Sequence, residues 1–568
     1  MKSALRLSLL VCIILISYRP TFGQSSPKAA SPVHIEVDLA REKGVAKPIW
    51  AWFGYDEPNY TYMKDGKKLL TEIAQANRVP VYVRAHSLLV TGDGEAALKW
   101  GSTNAYTEDA NGNPVYDWTI IDKIFDTYIE RGMKPMAQIG FMPEVLSTKP
   151  EPYRHYWKPD NSYGDIFTGW AYPPNDYNKF AELVFQWVKH SVARYGKKEV
   201  ESWYWELWNE PDIPYWKGTT EEYIKLYDYT ADAVKRALPT ARMGGPEVTG
   251  PSSENAARFF RAFMDHVVNG KNYVTGKKGS PIDFITFHAK GAPKVVDGHV
   301  QMNMGAQLRN IDKGFEIVAS YPTLKNLPIV IGESDPEGCA ACSEDFHPSN
   351  AYRNGTMYSS YTAASYARKQ DMAEARGVNL LGAVTWAFEF EDQPWFRGFR
   401  DLATNGVDKP VLNTFRMFGM MPERRVEVSQ QNLAYSFQKV TKESVRGEAD
   451  INGFATKGSR EAAVMVWNYH DDNVPGPDAP VSVQIKGLTA SRVLVQHYRI
   501  DQQHSNSYEA WKRMGSPQKP TPEQIDALEA AGQLQMLTSP EWMNVEKSTL
   551  KLPFDLPRQG VSLIKVSW

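Results

Sequence analysis

WYWELWNEPDIPYW (residues 203–216) is the stretch that best indicates how this chain folds. It begins with aromatic and aliphatic residues, reaches a polar turn at Glu210, and is followed by TTEEYIKLYDYTADAVKRALP (residues 219–239). In that second segment Thr219 and Glu222 have the spacing of a capping box, and apolar residues recur at helical intervals. The pattern predicts a buried strand, a polar turn and an amphipathic helix.

The same order of a short apolar segment and a helical segment occurs eight times between about residues 46 and 420. Eight such units predict an α/β fold of the (β/α)8 TIM barrel type, whose chemistry lies at the carboxyl ends of the strands. The predicted strands are PIWAWF (48–53), VPVYVRAH (79–86), KPMAQIGF (134–141), the opening stretch, RMGG (242–245), IDFITFH (282–288), LPIVIGE (327–333) and NLLGAVTWAF (379–388).

The flanking segments have different patterns. Residues 421–568 contain short segments that alternate apolar and polar residues between turns, which predicts an accessory β-sandwich. Residues 24–45 include HIEVDL (34–39) and are expected to add a strand to that sandwich. Residues 1–23 combine basic residues, a short apolar run and a small terminal Gly, which is typical of a signal peptide. We therefore expect a secreted or periplasmic protein.

Composition excludes some partners. The 568 residues include 64 Lys plus Arg and 66 Asp plus Glu, so a net charge of -2 gives no electrostatic footprint for nucleic acid. No segment after the signal peptide is long and apolar enough to predict a membrane span.

Beyond the signal peptide, Cys339 and Cys342 are the only cysteines, and in an oxidising compartment we expect a disulfide. Zinc with His347 is the alternative, for which no fourth ligand is evident. The oligomeric state stays open.

Two predicted strands end in an acidic residue. The fourth ends at Asn209-Glu210 and the seventh at Glu333, so a barrel would direct both carboxylates into one pocket. Glycoside hydrolysis needs such a pair, one group to protonate the departing oxygen and one to face the anomeric carbon. We expect Glu210 to be the acid/base, held protonated by surrounding Trp side chains, and Glu333 to be the ionised nucleophile. No metal or organic cofactor is implied.

Several motifs, in this order along the chain, resemble glycoside hydrolase family 39, the β-xylosidase and α-L-iduronidase family of the clan A (β/α)8 barrels. They are YVRAH (82–86), IGFMPEVLS (139–147), ARYG (193–196), WELWNEP (205–211), GGPEV (244–248), DFITFH (283–288), LPIVIGE (327–333) and TWAFE (385–389). The resemblance implies catalytic roles for Glu210 and Glu333. It implies substrate binding by His86, Asn209, His288 and Trp386, the last as a stacking platform, and more weakly by Glu391. Arg84, at the end of the second strand, is a further candidate for substrate binding and a candidate hydrogen-bond donor to Glu333.

The chain departs from similar xylosidases at two places. Lys290 follows His288 on the same side of its strand, where it could either hold Glu333 ionised, bind a substrate carboxylate, or point out of the cleft. After Glu333 the sequence SDPEGCAAC (334–342) replaces an aromatic residue, so the substrate rim differs. Apart from these two departures, the resemblance implies an exo-acting, retaining β-xylosidase-like hydrolase that forms a covalent glycosyl-enzyme.

Other sugars stay open as substrates, namely β-glucuronides, α-L-iduronides, arabinosides or, for an endo-acting enzyme, an exopolysaccharide. In every case the expected partner is an oligosaccharide or glycoside. A non-catalytic sugar-binding protein is the remote alternative, and it would be expected to lack at least one of the two carboxylates.

Overall fold

The structure is a computed structural model that describes residues 32–431 and 433–568. The predicted signal peptide and its cleavage site lie outside these residues. In the described part of the chain no helix is both long enough and apolar enough to cross a membrane.

A closed barrel of eight parallel strands forms the larger part of the molecule. The strands are β1 (Trp52–Tyr55), β2 (Tyr82–Ala85), β3 (Lys134–Ile139), β4 (Tyr204–Leu207), β5 (Arg242–Val248), β6 (Phe284–His288), β7 (Pro328–Glu333) and β8, which is split into Asn379–Ala383 and Thr385–Trp386. The first piece of β8 pairs with β7 and the second pairs with β1, so the split strand closes the barrel. The predicted (β/α)8 fold is confirmed.

One helix follows each barrel strand. The helices are α1 (Lys64–Gln75), α2 (Thr119–Ile129), α3 (Tyr177–Tyr195), α4 (Thr220–Ala237), α5 (Glu254–Asn269), α6 (Met304–Ala319), α7 (Thr356–Arg376) and α8 (Pro410–Gly419). The capping box of Thr219 and Glu222 forms at the start of α4, which explains why the helix begins there. Trp203 and Trp205 are fully buried against the rings of Phe125 in α2 and Trp187 in α3, so these two Trp residues pack the barrel against its helices.

Shorter elements decorate the loops. They are the 3-10 helices Pro58–Tyr62, Glu144–Leu146, Tyr163–Ile166, Gly169–Ala171 and Pro348–Arg353, the short helix Lys197–Val200, and the strand pairs Tyr106–Glu108 with Pro114–Tyr116, Lys294–Val296 with His299–Gln301, and Ala403–Thr404 with Val407–Asp408.

A separate ten-stranded sheet forms the sandwich-like accessory domain. Its strands are Val33–Val45, Arg424–Gln430, Asp450–Lys457, Glu461–Tyr469, Ala479–Lys486, Arg492–Ile500, Gln535–Met536, Glu541–Asn544, Thr549–Leu556 and Val561–Ser567, with helices Phe437–Glu443, Ser507–Arg513 and Pro522–Gly532. Val33–Val45 lies between the strands Arg424–Gln430 and Ala479–Lys486. The described part of the predicted N-terminal segment is therefore an inner strand of this sheet.

The accessory domain also contacts the mouth of the barrel. Trp511 and Leu528, on its last two helices, pack with Trp395 and Phe396 of the loop between β8 and α8. Gln518 exchanges two hydrogen bonds with the backbone of Trp395, at 2.9 and 3.1 Å. The loop that borders the site is therefore supported from both domains.

Candidate active site

Glu333, the last residue of β7, lies in a cluster of positive charge. Its Oε2 atom is 2.6 Å from Nζ of Lys290, and its Oε1 atom is 3.9 Å from Nδ1 of His288. Burial alone would raise the pKa of Glu333, but the charges of Lys290, His288 and Arg400 outweigh it and hold that pKa at about 2. Glu333 is therefore a carboxylate at any physiological pH, as a nucleophile has to be.

Glu210 follows β4 in a strained turn. Trp208 has a φ of 66° and Glu210 a φ of 43°, which are left-handed conformations that side-chain-bearing residues adopt rarely and mainly at functional sites. The backbone N–H of Glu210 donates to the carbonyl of Glu247 at 2.9 Å and fixes this conformation. The Glu210 side chain is 15% exposed, against 6% for that of Glu333, so its carboxyl group reaches the cleft.

His288 joins the two predicted catalytic residues. Its Nδ1 atom is 2.8 Å from Oε1 of Glu210, and its Nε2 atom is 2.9 Å from Oε1 of Glu247. Burial would lower the pKa of His288, but the charges of Glu333 and Glu247 and the hydrogen bonds to Glu210 and Glu247 raise it to about 10. The ring is therefore an imidazolium that donates to Oε1 of Glu210 and Oε1 of Glu247. It is wholly buried, so it positions these side chains and has no exposed surface with which to bind a sugar.

The two candidate catalytic oxygens are close together. Oε1 of Glu210 and Oε1 of Glu333 lie 2.8 and 3.9 Å from the same nitrogen of His288, so they are separated by at most about 6.7 Å, the sum of these distances. Carboxyl groups stand about 5–5.5 Å apart in retaining glycosidases and about 6.5–9.5 Å apart in inverting ones. The arrangement fits the retaining spacing and overlaps only the lower edge of the inverting range.

Arg84, on β2, organises the floor of the site. Its Nε atom donates to Glu206 at 2.6 Å and its Nη2 atom to Oδ1 of Asn209 at 3.1 Å, while its Nη1 atom is 3.9 Å from Glu333. The side chain has no exposed surface. Arg84 was predicted among the substrate-binding residues; it instead lies beneath the site and holds Asn209 and the acidic residues in place.

Two acidic residues of this floor were missed in the sequence. Glu206 and Glu247 are fully buried, and burial together with the charge of Glu247 raises the pKa of Glu206 well above its usual value. For Glu247 the effect of burial is outweighed by Arg84 and His288, which lower its pKa to about 2. A Cβ atom on Gly332 would lie 1.3 Å from Oε1 of Glu247, so a glycine is required beside Glu333. The PE pair at the end of the fifth strand was the available signal.

Asp56 and Lys99 were also missed. Asp56 follows β1, accepts from Nδ1 of His86 at 3.0 Å and from Nε1 of Trp386 at 3.2 Å, and forms an ion pair with Lys99. Burial would raise the pKa of Asp56, but Lys99 and His86 lower it well below the usual range. The sequence signal was an Asp-Glu-Pro run directly after the first strand.

Two predicted substrate contacts are corrected by the structure. Only 1% of Trp386 is exposed, because its ring is packed against Gly54, lies 4.4 Å from the ring of His86, and lies 5.0 Å from the guanidinium of Arg84. It therefore has no free face for a sugar. Glu391 instead accepts from the backbone N–H groups of Asp65 and Gly66 at 2.6 and 3.2 Å, which makes it a cap at the start of α1.

Asp56, His86 and Glu333 have the only grouping of ligand atoms among the described residues that is compact enough for a metal ion. Lys99 pairs with Asp56, Lys290 pairs with Glu333, and Arg84 lies 3.1 Å from His86. A divalent cation would have to displace or approach three positive side chains. The group therefore fits an ion-paired cluster better than a metal site.

The loop after Glu333 contains a disulfide between Cys339 and Cys342, whose Cα atoms are 5.5 Å apart. Arg353 donates to the carbonyl of Cys339 at 2.9 Å, and Asn350 donates to that of Cys342 at 2.9 Å. The loop that follows Glu333, which was predicted to form the substrate rim, is therefore cross-linked and hydrogen-bonded.

A (β/α)8 barrel that brings acidic residues from strands four and seven to one imidazole defines a class of protein, the glycoside hydrolases. The family model "Glycosyl hydrolases family 39" matches residues 33–545. The chain belongs to glycosyl hydrolase family 39.

Characterised relatives and solved structures agree with this membership. The chain is 26% identical to a β-xylosidase of Geobacillus stearothermophilus over 500 residues, which cover 85% of this chain and 86% of the relative. It is 22% identical to an α-L-iduronidase of Mus musculus over 533 residues, 88% and 75% of the two chains. The structure of a monomeric β-xylosidase from Caulobacter crescentus CB15 covers 94% of this chain and 99% of its own, with a TM-score of 0.71 and 22% identity, and shares the fold.

Proposed function

We propose that this protein is a retaining, exo-acting glycosidase that removes single sugars from β-xylosides. The proposal rests on one observation. Oε1 of Glu210 and Oε1 of Glu333 lie 2.8 and 3.9 Å from the same atom, Nδ1 of His288. Two oxygens this close leave room for a glycosidic bond and fit the retaining spacing.

The reaction would proceed in two displacements. In the first, Oε1 of Glu333 attacks the anomeric carbon as the glycosidic C–O bond breaks, and Glu210 gives its proton to the departing oxygen. In the second, Glu210 takes a proton from water, the water oxygen bonds to the anomeric carbon, and Glu333 leaves as a carboxylate. Oε1 is assigned as the attacking atom because Oε2 is held by Lys290 at 2.6 Å, whereas Oε1 lies on the side of Glu210.

Exo action is supported by a contact across the barrel mouth. Nε1 of Trp157, in the loop between β3 and α3, donates to the carbonyl of Ala341 in the loop between β7 and α7 at 3.3 Å. Strands β3 and β7 lie on opposite sides of the barrel, so this contact bridges the opening. Asp56, His86 and Tyr215 are among the residues that line a small pocket at this mouth. Loops that bridge the opening of the barrel favour binding of the end of a glycan over binding of an internal segment.

A neutral sugar is supported by the pairing of Lys290. Its Nζ atom lies 2.6 Å from Glu333 and 2.8 Å from Asp335, so the ammonium group already has two carboxylate partners. Of the roles considered for Lys290, holding Glu333 ionised is the one this geometry favours. The β-xylosidases among the relatives are named for hydrolysis of such a neutral sugar.

A uronide is the second candidate, and one observation favours it. The Lys290 side chain is 17% exposed, so its ammonium could exchange Asp335 for a carboxylate on the substrate. Several relatives are α-L-iduronidases. If Lys290→Ala loses much more activity on aryl uronides than on aryl xylosides, the uronide is favoured; an equal loss on both removes this reading.

We also propose that the protein acts in an oxidising compartment, outside the cytoplasm. The support is the Cys339–Cys342 disulfide together with the predicted signal peptide. Fractionation of expressing cells, with a mass measurement of the mature N-terminus, tests this; an uncleaved protein found in the cytoplasm would contradict it.

The substrate is tested with a panel of aryl β-xyloside, α-L-arabinoside, β-glucoside, β-glucuronide and α-L-iduronide. Glu333→Gln, which lacks the proposed nucleophile, is the matched inactive control on each substrate. We expect the highest kcat/KM on the β-xyloside and release of single sugars from the chain end of xylo-oligosaccharides. A higher kcat/KM on either uronide, or internal cleavage of the oligosaccharides, would contradict the proposed substrate or the exo action.

A further inference from the structure

Asp335, two residues after the nucleophile, lies between two buried or half-buried cations. Its Oδ1 atom is 2.8 Å from Nζ of Lys290, and its Oδ2 atom forms an ion pair with Nη1 of Arg400. Asp335 and Arg400 are almost wholly buried. Each carboxylate oxygen of Asp335 therefore forms an ion pair with a different cation.

The same two cations face only one oxygen of Glu333. Oε2 is 2.6 Å from Lys290 and 3.9 Å from Arg400. Oε1 instead lies 3.7 Å from His86 and 3.9 Å from both His288 and Arg84. Glu333 and Asp335 thus share Lys290 and Arg400, and the shared cations leave Oε1 directed towards the acid/base.

The backbone around Asp335 is firmly held. Arg400 also donates to the carbonyls of Glu337 and Gly338, and Lys369 donates to the carbonyl of Ser334 at 3.2 Å. The disulfide of Cys339 and Cys342 closes the same loop a few residues on. The position of the Asp335 carboxylate is therefore set by the loop and does not depend on the substrate.

We propose that Asp335 is a positioning residue that divides the charge of Lys290 and Arg400 between itself and the nucleophile. This inference rests on the retaining mechanism proposed above. A carboxylate under the full influence of two cations is a good leaving group but a poor nucleophile, because its charge is stabilised before it attacks. By taking part of that attraction, Asp335 keeps Glu333 reactive in the first displacement, while Lys290 and Arg400 remain in place for its departure in the second.

Asp335→Asn tests the proposal, because the neutral amide leaves both cations to Glu333. Burst kinetics on 2,4-dinitrophenyl β-xyloside separate the two displacements. We expect the first displacement to slow about tenfold or more, the factor that corresponds to one pKa unit of added stabilisation, while the second does not slow and becomes faster, because the better stabilised carboxylate of Glu333 leaves more readily. Glu337→Gln is the matched control, because Glu337 lies on the same loop and pairs with Arg353 at 2.6 Å.

The outcome that overturns the proposal is an equal slowing of both displacements by Asp335→Asn, or the same kinetic change in Glu337→Gln, since either would indicate a merely structural role. If Asp335→Asn does not fold, Asp335→Glu takes its place: a displaced charge should slow the first displacement selectively, and unchanged burst kinetics would overturn the proposal. Failure of the proposed function is seen separately, as the absence of a covalent intermediate or of retention in the unmodified protein.

Discussion

Replacing Lys290 by methionine removes the closest cation from Glu333 while keeping a side chain of similar length. The Nζ atom is 2.6 Å from Oε2 of Glu333, and the charge of Lys290 is the largest of those that lower the pKa of Glu333 against the effect of burial. In the variant, Glu333 should therefore take up a proton more easily.

The size of the shift follows from the contacts. An opposite charge at this distance lowers the pKa of a carboxyl group by about 1–3 units, so its removal should raise the pKa of Glu333 from about 2 to about 3–5. The charged and titratable groups left around Glu333 are Arg84, His86, His288, Arg400, Glu210 and Asp335. Asp335 loses Lys290 as well, and its negative charge adds to the rise.

The assay is the pH dependence of kcat/KM on an aryl β-xyloside, which reports ionisations of the free enzyme. The unmodified enzyme should show no acid limb due to Glu333 above pH 3, and Lys290→Met should show one between about pH 3 and 5. Lys99→Met is the matched control, because it removes a buried cation that pairs with Asp56 and does not contact Glu333. An unshifted acid limb in Lys290→Met, or an equal shift in Lys99→Met, would refute the assignment.

Three further predictions follow from the site. Glu210→Ala should reduce kcat/KM on a xyloside with a poor leaving group by at least about 100-fold, the usual contribution of a general acid, and far less on a dinitrophenyl xyloside; equal losses would argue against the acid role. Arg84→Met should reduce the free energy of unfolding by about 3–5 kcal/mol, because it leaves buried carboxylates unpaired, and urea unfolding that shows a loss under 1 kcal/mol would contradict this. Because the pKa of His288 is raised to about 10, its stabilising contribution is complete below about pH 6.5 and is lost as the pH rises through 10. Urea unfolding between pH 6.5 and 10 should show this fall, and His288→Asn should lack it.

Much of the barrel was predictable because its signals are local. The fourth strand and α4 follow from apolar content, a capping box and helical spacing, and the structure has them at Tyr204–Leu207 and Thr220–Ala237. The meeting of Glu210 and Glu333 was also predictable, because parallel strands in a barrel place their carboxyl ends at one mouth.

The parts that could not be predicted depend on which way side chains turn. Trp386 ends a barrel strand, which is where a residue that stacks on a sugar would be expected. Because Gly54 has no side chain, the Trp386 ring packs against it and is buried. Glu391 lies one loop beyond, and the free N–H groups at the start of α1 bind its carboxylate. Glu247 was missed although it lies in the fifth strand, because its role depends on Arg84 and His288, which are far away in sequence and pair with it in the structure.

The most direct test of the account is to trap the covalent intermediate. Incubation with 2,4-dinitrophenyl 2-deoxy-2-fluoro-β-xyloside should add one fluoroxylosyl group to the protein, and peptide mass spectrometry should place it on Glu333. An adduct on a different carboxylate, or no adduct together with a first product of inverted anomeric configuration by NMR, would contradict the pairing of Glu210 and Glu333 as acid/base and nucleophile.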